Sequence, residues 1–541
     1  MSTTSDRAKD LNAQGNARKA AGDVEGAAAC YRQALEADAR SPSALYNLAL
    51  CMRELGRATE AEQLLGRLLE IEPRDGDALF HLGEILFQKS NFAAAMPVLR
   101  RAAALQPVNA LVHLYMGVAL VRQFEANEAE ACLRRALALE PGAVDAHLCL
   151  GDLYSLTGAR DKALECYRAA SNVDPDNPVV LSALLYETLQ LCDWSQFEDL
   201  ERRLRQSLEA KPAMPILPFP LLAIRTTPQE QLLHARRYSE SVARAAAAER
   251  ARLGLRFAQR AGGRIRVGYL SSDLHEHATA YLTAELFELH DRRRFEIHAY
   301  SYGPDDGSPM RARLKRAFDR FVEIGPFSES DAARAIHADG VDILVDLKGH
   351  TLYARSGILA LRPAPVQVGY LGYPGTMGAE FVDYLVGDRF VTPAEHAAHF
   401  SEQLVRLPGS YQVNDRKRAV APTPPRPELG LPEAAFVFCC FNQTYKILPD
   451  LFDAWLALLG QVPGSVLWLL DGSPGTANNL RAHARKRGVA TERLVFAPRW
   501  PLERHLGRLA AADLFLDTFP YNAHTTASDA LWAGLPLLTL P

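Results

Sequence analysis

The sequence lacks the features that mark membrane-spanning, secreted and zinc-binding proteins. No apolar run reaches the roughly 18 residues of a membrane-spanning helix, and the N-terminal segment has no apolar core of a signal peptide. The eight cysteines include no C-x-x-C pair, and the adjacent Cys439 and Cys440 would point to opposite faces of a strand. These absences favour a cytoplasmic protein whose cysteines are reduced and mostly buried.

Neither sign of charge dominates. Lys and Arg number 60 against 64 Asp and Glu, for a net charge of -4, and no strongly basic segment stands out. Such a surface argues against binding to nucleic acid or to a membrane. The length of 541 residues and the hydrophobic content of 48% instead indicate a soluble protein of about two to four domains.

The first third of the chain repeats with a period of about 34 residues. The small residues are Gly15, Ala49, Gly83, Gly117 and Gly151, the large ones Tyr31, Leu65, Leu99, Leu133 and Tyr167, and the prolines Pro73, Pro107, Pro141 and Pro175. Small residues suit close helix crossings, large ones fill the layer between repeats, and proline ends a helix. The pattern resembles the tetratricopeptide repeat, with five units over residues 7 to 176. It predicts an α-solenoid over residues 1–178 that docks a peptide or protein.

Two further regions follow the repeats. Residues 179–263 stay helical without the period, and the stretch SESVARAAAAERARLGLRFAQRAGG predicts one amphipathic helix closed by Gly262 and Gly263. Beyond it, short apolar runs alternate with helix-length segments, five runs in residues 264–420 and five in residues 421–541. These runs predict two parallel α/β lobes whose strand ends share a cleft, as in nucleotide-sugar glycosyltransferases of the GT-B type.

Polar residues that could bind an anion lie at two strand ends of the second lobe. Lys446 follows its first strand, where an ammonium group could neutralise a diphosphate; the alternative is an ordinary exposed lysine at a helix start. His524 and Thr525 precede a short helix, whose unpaired N–H groups would suit a pyrophosphate. Thr526 and Asp529 fit a capping box for the same helix.

Three other histidine and arginine side chains are candidates for ligand binding. His505 and Arg508 are three residues apart, so they share a helix face. They could stack on a base and bond its edge, or simply be solvated. His277 follows the first strand of the first lobe, where it could act as an acid or base, bind sugar, or serve as a cap or loop residue.

Five strings in order make the sequence resemble a known family. IRVGYLSSD, LRPAPVQVGYLGYPGTMGA, FNQTYKI, PGSVLWLL and HTTASDALWAGLP follow the repeats, and LCDWSQFED lies in the connecting segment. Together they resemble the protein O-GlcNAc transferases and their plant Spindly relatives over essentially the whole chain. The resemblance implies inverting, metal-independent transfer of N-acetylglucosamine from UDP-GlcNAc to Ser and Thr of proteins docked by the repeats. The alternatives are another donor, GDP-fucose or UDP-glucose, or a non-catalytic scaffold.

The resemblance also implies roles for individual residues. Lys446 would contact the diphosphate, His505 and Arg508 the uracil, and Asp529 the ribose. The residues implied as catalytic are His277, Lys446, His337 and Tyr445. Those implied as nucleotide-sugar-binding are Gln443, Lys446, His505, Arg508, His524, Thr525, Thr526, Asp529, Arg355, Leu371, Gly372 and Pro374.

Some features depart from the family's pattern. The asparagine ladder that holds the acceptor backbone keeps one match among Ala13, Asn47, His81, Tyr115 and Cys149, and a lysine expected to contact the ribose is replaced by Leu502. The D-x-D pairs fall in repeat turns rather than at strand ends of the lobes, so we expect no metal and no cofactor. The family continues beyond the last strand, so the resemblance implies C-terminal truncation.

Overall fold

Residues 4–210 form a series of antiparallel helix pairs in the computed structural model, which describes residues 4–257 and 262–540. Six pairs follow one another, the sixth beyond the five predicted repeats. Their helices are α1 (Thr4–Ala20), α2 (Val24–Ala37), α3 (Pro42–Glu54), α4 (Ala58–Ile71), α5 (Gly76–Gln88), α6 (Phe92–Leu105), α7 (Ala110–Arg122), α8 (Ala126–Leu139), α9 (Val144–Leu156), α10 (Arg160–Val173), α11 (Pro178–Gln190) and α12 (Phe197–Ala210).

The glycines of the repeat make room for its large residues. A Cβ atom at Gly83 would lie 2.5 Å from Leu99, and one at Gly117 would lie 2.6 Å from Leu133. Real Cβ atoms do not approach that closely, so the helices of a pair can cross here only because glycine has no side chain. The predicted tetratricopeptide solenoid is confirmed. The eight cysteines are unpaired and six of them are buried, as expected.

The connecting helix is α13 (Pro228–Leu253), which joins the solenoid to the first lobe. Thr227 and Glu230 form a capping box at its start, and Ser239 Oγ donates to the Met377 carbonyl of the lobe at 2.7 Å. The predicted helix through Gly263 is wrong at its end, because Gly254 adopts a left-handed conformation that stops α13. The stretch 258–261 lies outside the described residues.

The first lobe contains a seven-stranded parallel sheet in the order β3-β2-β1-β4-β5-β6-β7. Its strands are β1 (Ile265–Ser271), β2 (Phe295–Ser301), β3 (Arg320–Glu323), β4 (Ile343–Asp346), β5 (Val366–Tyr370), β6 (Tyr384–Asp388) and β7 (Gln403–Leu407). Its helices are α14 (Ala278–Leu289), α15 (Pro309–Ala317), α16 (Glu329–Ala338) and α17 (Ser356–Ala360). Five of these strands match the predicted runs. The two edge strands, β3 and β7, were not predicted.

The second lobe contains a five-stranded parallel sheet in the order β10-β9-β8-β11-β12. Its strands are β8 (Val437–Cys440), β9 (Val466–Leu470), β10 (Leu494–Ala497), β11 (Leu514–Leu516) and β12 (Leu537–Leu538), and its helices are α18 (Pro449–Gln461), α19 (Pro474–Lys486), α20 (Leu502–Leu509) and α21 (Thr525–Trp532). All five strands match predicted runs, so the fold prediction of a solenoid followed by two α/β lobes is confirmed. Within residues 4–257 and 262–540, every helix is too short or too polar to cross a lipid bilayer.

Candidate active site

The two lobes meet through the segment that follows β7. The Tyr411 hydroxyl lies 3.0 Å from Nδ1 of His524, and Gln412 Nε2 donates to the His524 carbonyl at 3.3 Å. Arg418 Nη1 donates to Asp529 at 2.5 Å, and both side chains are buried. The start of α21 in the second lobe is therefore bonded to the first lobe. Sequence analysis missed these partners, which lie in a connection without strand or helix pattern.

Lys446 lies in a short 3-10 turn after β8 and points at the loop that precedes α21. Its Nζ donates to the Asn522 carbonyl at 2.9 Å and lies 3.7 Å from the centroid of the Tyr521 ring. Lys446 is only 8% exposed, so the alternative of an ordinary exposed lysine is wrong. Burial lowers the pKa of Lys446 to about 8, and Asp517 opposes that shift.

The start of α21 has no side-chain cap. The N-cap residue is His524, whose side chain makes no capping hydrogen bond, and Thr525 is the first helical residue. Burial, followed by the charge of Lys446, lowers the pKa of His524 to about 4. The imidazole is therefore neutral at pH 7, and a neutral ring, a buried ammonium and helical N–H groups converge where an anion would fit.

The predicted capping box at α21 is wrong. It requires an N-cap side chain one turn before its partner, but Thr526 is already inside the helix. Thr526 Oγ1 instead donates to the Asn442 side chain, and Asp529 pairs with Arg418. Both residues thus tie the helix to neighbouring elements, and the N-terminal N–H groups are left to other partners.

His505 and Arg508 form a hydrogen-bonded pair in which Arg508 is buried and His505 partly buried, not a solvated helix face. Arg508 Nη2 donates to His505 Nδ1 at 2.8 Å, and Arg508 is 1% exposed. Its guanidinium lies 4.8 Å from the Phe441 ring centroid and 4.9 Å from that of Trp500. Burial lowers the pKa of Arg508 to about 10 and, together with Arg508, that of His505 to about 4. Nδ1 of a neutral His505 is thus occupied, which fixes the ring orientation.

Gln443 and Tyr445 lie just before Lys446 in the chain, and their side chains have different surroundings. Gln443 is exposed and accepts a hydrogen bond from Arg499 at 3.2 Å. Tyr445 is buried, with its ring 5.0 Å from Tyr186 of α11 and 6.0 Å from Tyr521. Tyr445 therefore packs the solenoid against the second lobe. Its implied catalytic role stays a prediction.

His277 stands at the carboxyl edge of the first sheet as the N-cap of α14. Its Nδ1 accepts from the Thr279 N–H at 3.2 Å and lies 3.6 Å from Asp273. Lys348, from the loop after β4, donates to both oxygens of Asp273 at 3.0 and 3.1 Å. Desolvation lowers the pKa of His277, and Asp273 opposes this. The buried Lys348–Asp273 pair thus backs the imidazole, and neither residue was among the implied site residues.

The predicted sugar-pocket residues lie on the loop after β5. Leu371 adopts a left-handed conformation with φ 64°, and a Cβ atom at Gly372 would overlap the carbonyl oxygen of Leu347. The loop containing Leu371, Gly372 and Pro374 therefore runs directly against the loop after β4. Both loops follow the carboxyl ends of parallel strands, so they lie at the same edge of the sheet as His277.

Arg355 and His337 lie at opposite edges of the first sheet. Arg355 donates to the carbonyls of Ile324 and Phe327, which follow β3, so it lies at the carboxyl edge. His337 lies in the last turn of α16, just before β4 begins, and its ring packs against Phe257 at 5.4 Å. A helix that leads into a parallel strand ends at the amino edge of the sheet. The structure therefore does not bring His337 together with the other predicted residues.

The two groups of polar residues face each other across the cleft. Burial and Glu276 raise the pKa of Tyr281, one turn beyond His277 on α14, and the charge of Asp529 on α21 adds to this rise. The Tyr370 hydroxyl at the end of β5 also donates to the Tyr411 carbonyl at 2.8 Å, and the Tyr411 hydroxyl lies 3.0 Å from Nδ1 of His524 at the start of α21. His277 and the loop after β5 thus lie on one side of the cleft, and Lys446, His524 and Thr525 lie on the other.

A cavity of about 540 Å³ opens where the solenoid meets the lobes. Its walls include Asp152, Tyr186, Phe219 and Tyr353, from the last repeats, the connector and the loop after β4. Tyr186 and Phe219 pack on their far side against Tyr445, the neighbour of Lys446. The cavity therefore lies one aromatic layer away from the buried ammonium.

Comparison with known proteins identifies the family. A model described as glycosyl transferase family 41 matches residues 191–424 and 420–541. The chain belongs to glycosyl transferase family 41. A tetratricopeptide-repeat model also matches residues 19–82, 52–116 and 120–185, in agreement with the helix pairs.

Curated relatives carry transferase names. A protein of Arabidopsis thaliana named probable UDP-N-acetylglucosamine–peptide N-acetylglucosaminyltransferase SEC is 36% identical over 378 residues, which cover 66% of this chain and 38% of that protein. The UDP-N-acetylglucosamine–peptide N-acetylglucosaminyltransferase of Caenorhabditis elegans is 28% identical over 481 residues, which cover 65% of this chain and 41% of that protein. The chain thus spans about two fifths of the length of these relatives.

A solved structure resembles the whole architecture. A point mutant of the Thermobaculum terrenum O-GlcNAc transferase superposes with a TM-score of 0.57 at 27% identity, covering 93% of this chain and 82% of the other. The relative order of solenoid and lobes is therefore the same as in that O-GlcNAc transferase.

Proposed function

We propose that this chain transfers N-acetylglucosamine from UDP-GlcNAc to Ser and Thr hydroxyls of proteins, with inversion and without a metal ion. The observation that carries the proposal is the buried ammonium of Lys446 beside the uncapped start of α21. A diphosphate is the ligand that suits a cation and helical N–H groups together. The names of the relatives supply the sugar and the peptide acceptor.

The site supports a single displacement at the anomeric carbon. The acceptor oxygen forms its bond to that carbon while the bond to the diphosphate oxygen breaks, and the hydroxyl proton passes to solvent or to a nearby base. Negative charge grows on the departing UDP, where Lys446 and the N–H groups of α21 stabilise it. His277, on the opposite side of the cleft, would face the incoming hydroxyl, and the lowering of its pKa by desolvation favours the neutral imidazole.

The cavity at the solenoid junction gives the acceptor a route to the cleft. Its lining runs from helices of the last repeats to the loop after β4, and that loop also carries Lys348, the partner of Asp273. An extended segment docked along the repeats would pass through it before it reaches the donor. Protein acceptors recognised by the repeats are therefore part of the proposal.

A second candidate is the same reaction with GDP-fucose or UDP-glucose. Asp529, the residue implied to bind ribose, is instead held by Arg418 at 2.5 Å, and Leu502 offers no polar group in place of the expected lysine. These two differences favour another mode of nucleotide binding. The repeats with an inactive transferase region remain the non-enzymatic alternative.

Release of nucleoside diphosphate from UDP-GlcNAc, UDP-glucose and GDP-fucose separates the candidates. We expect the wild-type chain to release UDP from UDP-GlcNAc and Lys446→Ala to lower the rate by about 10²- to 10³-fold. Lys486→Ala, which removes an exposed lysine of α19 in the same lobe, is the matched control and should keep the rate. Preference for another donor would support the second candidate. If no donor is turned over, the non-catalytic scaffold is the alternative that agrees with the result.

A further inference from the structure

Tyr521 contacts the ammonium of Lys446 with the face of its ring. The Nζ atom lies 3.7 Å from the ring centroid, whereas the next shortest cation–ring distance, between Arg504 and Trp500, is 4.4 Å among the described residues. The face of an aromatic ring is negative, so it attracts a cation placed over it. Tyr521 was not among the predicted site residues.

The ring of Tyr521 is clamped from several sides. Ring centroids lie at 5.9 Å for His524, 6.0 Å for Tyr445 and 6.2 Å for Phe219. These contacts come from the start of α21, the turn after β8 and the connector. Because its neighbours belong to three elements, the ring cannot swing away from Lys446 without disturbing the core.

The other charged or titratable groups around Lys446 only partly stabilise its ammonium. Asp517, after β11, is the carboxylate that acts on Lys446, but its Oδ1 accepts from the N–H groups of Thr518 and Ala523, each at 2.7 Å. Cys440 of β8 acts more weakly, and His524 at the start of α21 is neutral at pH 7 because its pKa is about 4. Direct contacts to Nζ are thus the Tyr521 ring and the Asn522 carbonyl.

We propose that Tyr521 is a positioning residue for Lys446. The face of its ring and the Asn522 carbonyl fix the ammonium in front of α21 and keep it protonated at a buried site. This inference rests on the proposed role of Lys446 at the diphosphate. It adds a residue that neither the resemblance nor the motif at α21 assigns.

Loss of the ring should show in the pH dependence of the reaction. Desolvation lowers the pKa of Lys446 to about 8, and Asp517 opposes this shift. A ring face over the ammonium also stabilises the charged form and so favours a higher pKa. A desolvated cation–ring contact is equivalent to about one pKa unit. Without the ring, the pKa of Lys446 should be about one unit lower, so at the pH where the wild-type side chain is half protonated only about one tenth should stay protonated.

The first test is the pH profile of kcat/KM for donor turnover, which reports groups of the free enzyme. Activity should fall as the pH rises through the pKa of Lys446. In Tyr521→Leu this alkaline limb should move down by about one pH unit. Tyr521→Phe keeps the ring face and should retain the wild-type limb. A limb unchanged in Tyr521→Leu, or displaced equally in Tyr521→Phe, would overturn the proposal.

The second test reads Lys446 without turnover. Labelling of the full chain with an amine reagent from pH 6 to 10, followed by mass spectrometry, reports the protonation of Lys446 directly. The labelling midpoint should fall in Tyr521→Leu and not in Tyr521→Phe; equal midpoints would refute the role of the ring. If the wild type turns over no donor, the proposed function fails while this measurement still decides about Tyr521. Tyr521→Met replaces the Leu variant if circular dichroism shows that the latter is unfolded.

Discussion

Replacing Arg418 by methionine should destabilise the joint between the two lobes. Arg418 and Asp529 are 2.5 Å apart, and their side chains are only 2% and 7% exposed. Burial raises the pKa of Asp529 although Arg418 opposes this, so the carboxylate depends on its partner. Methionine keeps much of the volume of arginine and removes its charge. Arg418→Met therefore leaves a buried carboxylate without a counter-ion.

The expected loss is large compared with the stability of a domain. Removal of one partner from a buried ion pair costs about 3–5 kcal/mol, of a total that is about 5–15 kcal/mol. Loss of the contact between Arg418 and the Trp532 ring, at 5.2 Å, adds about 1 kcal/mol. Arg418→Met with Asp529→Leu replaces both charges by apolar groups, and this double variant should regain most of the loss.

Hydrogen exchange of peptides from α21, read by mass spectrometry, measures this effect as the free energy of local opening. Protection of residues 525–532 should fall in Arg418→Met and recover in the double variant. A loss below about 1 kcal/mol, or no recovery, would refute the reasoning. The double variant also separates structure from binding: a raised KM for the donor despite restored protection would show that Asp529 contacts the nucleotide.

A matched pair of glycines, a buried carboxylate and a chelator provide three further tests. Gly83→Ala should lower the free energy of unfolding of the solenoid by about 1–3 kcal/mol, because its Cβ would meet Leu99. Gly66→Ala has open space around it and should raise that free energy by up to about 1 kcal/mol. Unfolding in urea measures both changes. Burial raises the pKa of Asp346 to about 6, above about 4 in an unfolded chain, so the free energy of unfolding should decrease as the pH rises from 4 to 7. Asp346→Asn should abolish this decrease, which amounts to about 3 kcal/mol at most. Thermal melts across that pH range measure it. EDTA should leave the rate of nucleotide release unchanged, and a rate lost with EDTA and restored by manganese would contradict metal independence.

The solenoid could be predicted because each repeat contains two signs of its packing, a small residue on one helix and a large residue at the facing position of the other. Gly83 and Leu99, and likewise Gly117 and Leu133, occupy complementary positions of two helices, so the residue types and their spacing agree. The buried strands were predicted for a similar reason, since both faces of β9 are apolar and covered. The missed strands β3 and β7 lie at the sheet edges, where exposed Arg and Glu side chains break the apolar run.

The site was only partly predictable because its side chains are fixed by distant partners. The spacing of Thr526 and Asp529 suggested a local cap, but Asn442 and Arg418 bind them instead. The sequence left base binding and solvation both open for Arg508, and the rings of Phe441, directly after β8, and Trp500, before α20, bury it. Such contacts depend on strand order, and no local pattern encodes them.

The last helix pair of the solenoid is packed directly against the second lobe. Tyr186 of α11 packs against Tyr445, and Thr444 Oγ1 donates to the Gln190 carbonyl at 2.6 Å, so α11 grips the turn that carries Lys446. Units at the outer end of a solenoid rest only on their neighbours. Outer repeats can therefore be added, deleted or exchanged, which under the proposed function would change the range of docked proteins, whereas a change in α11 acts directly on the turn that carries Lys446.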